Sequence, residues 1–159
     1  MSGEIDRADA VDPDVDLRVP AQRRELVGRH GPVLGAIALG GGLGALARYG
    51  VAHLLPAPPG GFPWATFVTN VAGCLLIGVL MVLVTEVWAA HRLVRPFLGA
   101  GVLGGFTTFS TYAVELHGLL RPGTVGTAFA YLAGTLVATL LATLAGVWAT
   151  RAAVRGASA

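Results

Sequence analysis

The chain has 159 residues, of which 54% are hydrophobic and only 13% are charged. Soluble domains carry roughly a quarter charged residues, so this composition excludes an ordinary soluble domain and predicts a membrane protein. The formal net charge of +2 says little by itself, and we expect no nucleic-acid partner. The single cysteine, Cys74, excludes both an intrachain disulfide and a cysteine metal cluster.

The first 30 residues form a charged segment that is acidic at its start and basic from Arg18 onward. Its low hydrophobicity and clustered charge predict a disordered, solvated tail without chemistry of its own. The segment lacks the apolar core of a cleavable secretory signal. We expect residues 31–151 to form one four-helix unit and residues 152–159 to form a short C-terminal tail.

Four apolar runs follow, and each exceeds the ~20 residues that a helix needs to cross a bilayer. Short joints rich in Pro, Gly or Arg separate them. The sequence therefore predicts an all-α membrane protein with four transmembrane helices, at residues 32–55, 64–88, 96–120 and 125–150.

The arginines are distributed unevenly over the two sides of such a bundle. Only two lie on the side of the first and third joints, Arg48 and Arg121. Nine lie on the side shared by the termini and the second joint: Arg7, Arg18, Arg23, Arg24, Arg29, Arg92, Arg95, Arg151 and Arg155. This bias predicts a multi-pass protein whose termini are both cytoplasmic.

Glycines recur at the four-residue spacing that allows two transmembrane helices to approach closely. The pairs are Gly31 with Gly35, Gly40 with Gly44, and Gly101 with Gly105. We interpret most of the 23 glycines as packing residues of this kind.

The first two runs each contain a polar residue that a bilayer disfavours. Arg48, near the end of the first run, is either an interfacial anchor or a vestibule residue that attracts anions. Asn70 lies inside the second run and shares a face with Thr66 and Cys74. Its amide can join helices or line a polar path, and the sequence leaves both roles open.

The third run contains the most unusual stretch, GVLGGFTTFSTYAVE, at residues 101–115. Adjacent glycines and hydroxyl residues disfavour a continuous helix, so we predict a break between Gly104 and Thr108. Non-helical backbone at membrane depth must be buried in protein or line a polar path.

Phe109 and Tyr112 follow this predicted break. Aromatic rings have positive edges that can stabilise a desolvated anion, although an ordinary packed pair of rings is the alternative. Glu115 is either a simple interfacial charge or part of a polar track with Thr111.

The fourth run places Tyr131, Thr135 and Thr139 on one helix face. Such hydroxyls either bond back to their own helix or line a path. No catalytic motif and no metal-ligand spacing of the histidines is present, so we expect no enzyme. The lack of an acidic residue inside the first run argues against a proton-coupled exporter.

Three blocks, GGGLGALARY, ATFVTNVAG and GVLGGFTTFSTYAVE, together resemble the fluoride channel family (Fluc, or CrcB). The resemblance covers residues 35–115, and the polar stripe extends it to the fourth run. It implies small dual-topology proteins of the cell membrane that assemble as antiparallel dimers. Such dimers export fluoride passively through two pores along the subunit interface and so protect the cell.

The resemblance also implies roles for single residues. Asn70 matches the pore asparagine, Phe109 the first ring of an aromatic box, Arg48 the vestibule arginine and Glu115 the acid after the broken segment. Tyr112 takes the place of the second ring, where phenylalanine is commoner. Two further pairs match the family: Thr135 and Thr139 the pore-lining serines, and Gly104 and Thr107 the positions whose backbone carbonyls hold a structural sodium ion at the dimer centre.

The single orientation that the arginines predict disagrees with the dual topology that the family resemblance implies. A dual-topology homodimer needs a weak bias, whereas nine arginines against two favour a single orientation. The hypothesis that follows is an antiparallel heterodimer with an oppositely oriented paralogue. A fluoride channel is the leading function, a non-conducting partner subunit is the alternative, and a small proton-coupled exporter is disfavoured.

Overall fold

The computed structural model describes residues 31–87 and 92–157. The predicted disordered tail, residues 1–30, lies outside the described residues, and so do the five arginines that it contributes to the predicted orientation.

Helices account for most of the described chain. Helix α1 is Gly31–Leu54, and α2 is Trp64–Val82, which runs on into a π-helical turn at Leu83–Val87. Helix α3 (96–106) consists of the π-helical stretch Pro96–Leu103 and the α-helical turn Gly104–Phe106. Helix α4 is Ser110–Leu119 and α5 is Val125–Ala157.

The four predicted spans are confirmed. Within the described residues, four segments are long and apolar enough to cross a membrane: Gly31–Leu54, Trp64–Val87, Pro96–Leu119 and Val125–Gly156. The fourth helix extends further than its predicted run, because α5 continues to Ala157 through most of the residues assigned to the C-terminal tail.

The break in the third span is also confirmed, but it begins later than predicted. Gly104 and Gly105 remain helical, and the chain leaves the helix at Thr107, whose φ of −75° and ψ of 155° are extended. The helix resumes at Ser110. The low helix propensity of glycine therefore does not set the position of the break. Contacts from α2 set that position instead.

Helix α1 packs along α3 through glycines on both helices. A methyl group on Gly40 or Gly44 would collide with the backbone of α3, and one on Gly101 or Gly105 would collide with the backbone of α1. This confirms two of the predicted glycine pairs. The third pair, at the start of α1, has no neighbour within 4 Å and takes no part in this packing.

Helix α2 packs mainly on α5, again through glycines. Gly78 lies against the backbone of Thr143, and Gly146 lies against the backbone of Leu75. The molecule is thus two closely packed helix pairs, α1 with α3 and α2 with α5. Far fewer contacts join α2 to α3, and this looser seam is where cavities lie.

Helix α4 is held against α5 by an aromatic cluster. Tyr131 is fully buried, and its ring centroid lies 4.9 Å from that of Tyr112 and 5.3 Å from that of Phe62. Burial of these rings fixes the rotation of α4 about its axis. It therefore determines which α4 side chains face the site.

Candidate functional site

The break is held open by Asn70 of α2. Its amide Nδ2 donates to the carbonyl oxygen of Thr108 at 2.9 Å, and its Oδ1 accepts the N–H of Thr108 at 2.9 Å. Both backbone groups of Thr108 are thus taken from the helix by one side chain. Asn70 is only 9% exposed, so these bonds are shielded from bulk water and are stronger than they would be at a surface.

Two backbone carbonyls lose their helical donors as a result. The N–H of Thr108, which would bond the carbonyl of Gly104 in a continuous helix, bonds Asn70 instead. The N–H of Thr111, which would bond the carbonyl of Thr107, bonds the Thr108 hydroxyl at 3.2 Å. Gly104 and Thr107 therefore present carbonyl oxygens that no helical N–H occupies.

A third carbonyl at the break is occupied by Arg48. The Nε of Arg48 donates to the carbonyl oxygen of Gly105 at 3.2 Å. A cation beside the C-terminal end of α3 is favourable, because the helix dipole places partial negative charge there. Arg48 is therefore joined to the break as well as being a charge near the end of α1.

A cavity of about 370 Å³ lies against the break, and we call it the central cavity. Asn70, the break itself, α3, α4 and α5 line it. It brings together seven of the ten residues that the sequence singled out: Asn70, Gly104, Thr107, Phe109, Tyr112, Thr135 and Thr139.

The two predicted rings differ in their surroundings. Phe109 is 80% exposed, whereas Tyr112 is buried. Their centroids are 5.9 Å apart, which is close enough for an ordinary packed pair. The Tyr112 hydroxyl donates to the carbonyl oxygen of Leu132 in α5 at 3.2 Å, so this hydroxyl is used in packing α4 on α5.

The two threonines of α5 also differ. The Thr139 hydroxyl donates to the carbonyl oxygens of Thr135 and Leu136, at 2.8 and 3.0 Å. It thus bonds back to its own helix, which is one of the two roles that the sequence left open for this residue. The Thr135 hydroxyl is buried and has no hydrogen-bond partner within the part of the chain that the structure describes. A buried hydroxyl without a partner is costly, so a ligand of the cavity would gain by bonding it.

The other three predicted residues, Arg48, Thr111 and Glu115, line a second cavity of about 550 Å³, which we call the Arg48 cavity. It lies at the end of the molecule where α1 and α2 are joined. Thr108 lines both cavities, so they meet at the break.

Glu115 is part of a hydrogen-bonded network and not a simple interfacial charge. Its Oε1 accepts from the Thr66 hydroxyl at 2.9 Å and its Oε2 from the Tyr131 hydroxyl at 2.7 Å. Three different spans meet in this network, and charge-assisted bonds of this kind are stronger than neutral ones.

Thr66, Thr108 and Tyr131 position the predicted site residues. The sequence placed Tyr131 in the polar stripe of the fourth run and Thr66 on the face of Asn70, but it assigned neither of them a site role of its own. A signal for Thr66 existed, since it lies one helical turn before Asn70 on the same face. No local pattern marks Thr108, because its role depends on the amide of a residue 38 positions earlier in the chain.

Comparison with known proteins gives a consistent result. A family model described as "CrcB-like protein, Camphor Resistance (CrcB)" matches residues 35–147. The chain is 58% identical to "Fluoride-specific ion channel FluC 2" of Streptomyces avermitilis over 79% of each chain. It is 61% identical to the protein of the same name from Nocardia farcinica, over 77% of this chain and 91% of that one. With "Fluoride-specific ion channel FluC 1" of Streptomyces coelicolor it shares 53% identity, over 85% and 88%.

Proposed function

The chain belongs to the CrcB-like family, and from that premise we propose that it is a fluoride-selective ion channel that releases cytoplasmic fluoride passively. The names of its relatives support the choice of ion. The observation that carries the proposal is the central cavity, where backbone at the break, an amide, an unpartnered hydroxyl and two aromatic rings surround one space.

The proposed mechanism is replacement of the water around fluoride by protein groups. The Asn70 amide has two N–H donors, and Thr108 uses one, so the other is free to meet the ion. The unpartnered hydroxyl of Thr135 supplies a second donor. The ring edges of Phe109 and Tyr112 add positive electrostatic potential without further hydrogen-bonding groups.

The Arg48 cavity serves in this proposal as the vestibule on one side. The guanidinium of Arg48 raises the local concentration of anions, and the cavity around it, of about 550 Å³, has the volume to hold a hydrated ion. Glu115 carries the opposite charge, but its two carboxylate oxygens are occupied by hydroxyl donors. We infer that Glu115 and Thr111 shape the passage between the vestibule and the break.

We also propose that the carbonyls of Gly104 and Thr107 hold a structural sodium ion at the dimer centre. Both oxygens lack their helical donors because Asn70 and the Thr108 hydroxyl take the N–H groups, which fits a hard cation with oxygen ligands. When bound, the ion would supply positive charge that neutralises these carbonyl dipoles. Asn70 acts here by keeping the Gly104 oxygen free of its helical donor, and the Thr108 hydroxyl does the same for the Thr107 oxygen.

An antiparallel dimer completes the proposed pore. Phe109 lines the central cavity yet is 80% exposed, so the described chain leaves one side of the ring uncovered. A second subunit in the opposite orientation would cover it. Because the arginine bias favours one orientation, with both termini in the cytoplasm, we propose an oppositely oriented paralogue as the partner in the cell membrane. Paralogues numbered 2 and 3 occur among the relatives from Streptomyces avermitilis.

Growth of a fluoride-sensitive bacterial strain tests this function. We expect the chain to restore growth on fluoride, either alone or together with a paralogue from the same genome. If neither the chain alone nor the chain with its paralogue restores growth, although both proteins are detected in the membrane, the proposal is overturned. A C-terminal reporter in the same cells tests the partner: a single cytoplasmic orientation supports the paralogue, and equal populations facing in and out support a homodimer.

A further inference from the structure

A third cavity, which we call the Arg95 cavity, lies between α2 and α3 and contains no predicted site residue. Its volume is about 330 Å³, and Ile77, Leu80, Met81 and Gly99 are among the residues that line it. Arg95 is the only charged residue among the described ones that do so. The cavity is thus an apolar space with one cation at its edge.

The shape of the cavity follows from the looser seam between the two helix pairs. The wall that the second span contributes runs from Ile77 to Val84, which is about 10 Å at 1.5 Å per residue. Of its lining residues, Leu80 is buried, while Met81 is 41% exposed and Ala100 is also exposed. The cavity therefore opens outward, away from the bundle, where lipid surrounds a membrane protein.

The position of Arg95 places its charge at the membrane boundary. It directly precedes the π-helical stretch that starts the third span, and Val84 lies in the π-helical turn that ends the second. Interruptions of this kind often mark functional positions in helices. A guanidinium at the mouth of an apolar space suits a ligand with an anionic head and a hydrocarbon tail.

The other charges at this end of the molecule strengthen the positive field. Glu86 pairs with Arg151, whose Nη2 lies 2.6 Å from Oε1 of the glutamate. No carboxylate among the described residues forms an ion pair with Arg95. Arg92 and Arg155 add further positive charge at the same end.

We propose that the Arg95 cavity is a binding site for an anionic phospholipid. The phosphate of the lipid bonds the guanidinium of Arg95, and part of one acyl chain occupies the apolar space beside Leu80 and Met81. Basic pockets between transmembrane helices bind anionic headgroups by the same chemistry. The site does not depend on fluoride conduction, so either proposal can fail without the other.

Native mass spectrometry of the purified full chain, titrated with phosphatidylglycerol or phosphatidylcholine, tests the site. We expect tighter binding of phosphatidylglycerol by the wild type. The Arg95→Gln variant should lose at least tenfold in that affinity, because it removes a charge-assisted bond to the lipid phosphate and not only a surface charge. The matched control Arg92→Gln removes the same charge from an exposed position that does not line the cavity, and its affinity should change less than twofold.

A second variant separates the cavity from the charge. Ala100→Leu keeps every arginine but fills the space, so it too should weaken binding of phosphatidylglycerol. Equal losses in Arg95→Gln and Arg92→Gln, equal binding of the two lipids by the wild type, or full binding by Ala100→Leu would each overturn the proposal. Disulfide cross-linking of an Ala100→Cys variant between two copies in membranes would also overturn it, because protein would then cover the cavity.

Discussion

Replacement of Asn70 by alanine tests what holds the break open. The substitution removes both hydrogen bonds to Thr108, and each such bond inside a membrane protein contributes about 0.6–2 kcal/mol. The sum, about 1–4 kcal/mol, is large enough to let the third span rejoin as a continuous helix. In that helix the N–H of Thr108 would bond the carbonyl of Gly104, which would no longer be exposed.

We therefore expect Asn70→Ala to lower the free energy of unfolding in SDS by that amount and to reduce fluoride efflux from liposomes at least tenfold. Thr143→Val is the matched control, because the Thr143 hydroxyl bonds only the carbonyl oxygen of Thr139 in its own helix. Wild-type efflux together with unchanged unfolding in Asn70→Ala would refute the role assigned to the amide.

Three further substitutions separate the other parts of the account. Thr135→Val should reduce fluoride efflux about tenfold, a cost of about 1.4 kcal/mol, whereas Thr139→Val should leave it within threefold. The reason is that, of these two hydroxyls, that of Thr135 lacks a hydrogen-bond partner among the described residues, while that of Thr139 bonds its own helix. Equal effects of the two substitutions in an efflux assay would contradict this. Gly44→Ala should destabilise the packing of α1 on α3 by about 1–3 kcal/mol in SDS unfolding, and Gly42→Ala, which meets nothing within 4 Å, should not. Tyr112→Phe should conduct fluoride at close to the wild-type rate, because its hydroxyl bonds α5 backbone and not the cavity; a tenfold loss would assign the hydroxyl to the ion.

The four spans could be predicted from the sequence because length and hydropathy alone determine which segments can cross a bilayer. The broken third span could also be predicted, since glycines and hydroxyl residues weaken a helix at Gly104 and beyond. The position of the break could not. It starts at Thr107 because Asn70, in another helix, takes the backbone groups of Thr108.

The contacts of Arg48 and Glu115 could not be predicted from the sequence, for a related reason. Arg48 bonds the carbonyl of Gly105, and Glu115 bonds hydroxyls of two other spans. Such contacts depend on how each helix is rotated about its axis, which glycine packing and aromatic burial decide. The two π-helical stretches, Leu83–Val87 and Pro96–Leu103, likewise carry no local pattern that predicted them.

The most direct measurement is ion release from liposomes that contain the detergent-purified chain and equal internal concentrations of fluoride and chloride. Purification in detergent lets subunits pair in both orientations whatever their direction of insertion in the cell. With a potassium ionophore present, the account predicts rapid release of fluoride, measured with a fluoride electrode, while chloride remains inside. Fluoride retained as in protein-free liposomes, or chloride released equally fast, would contradict it.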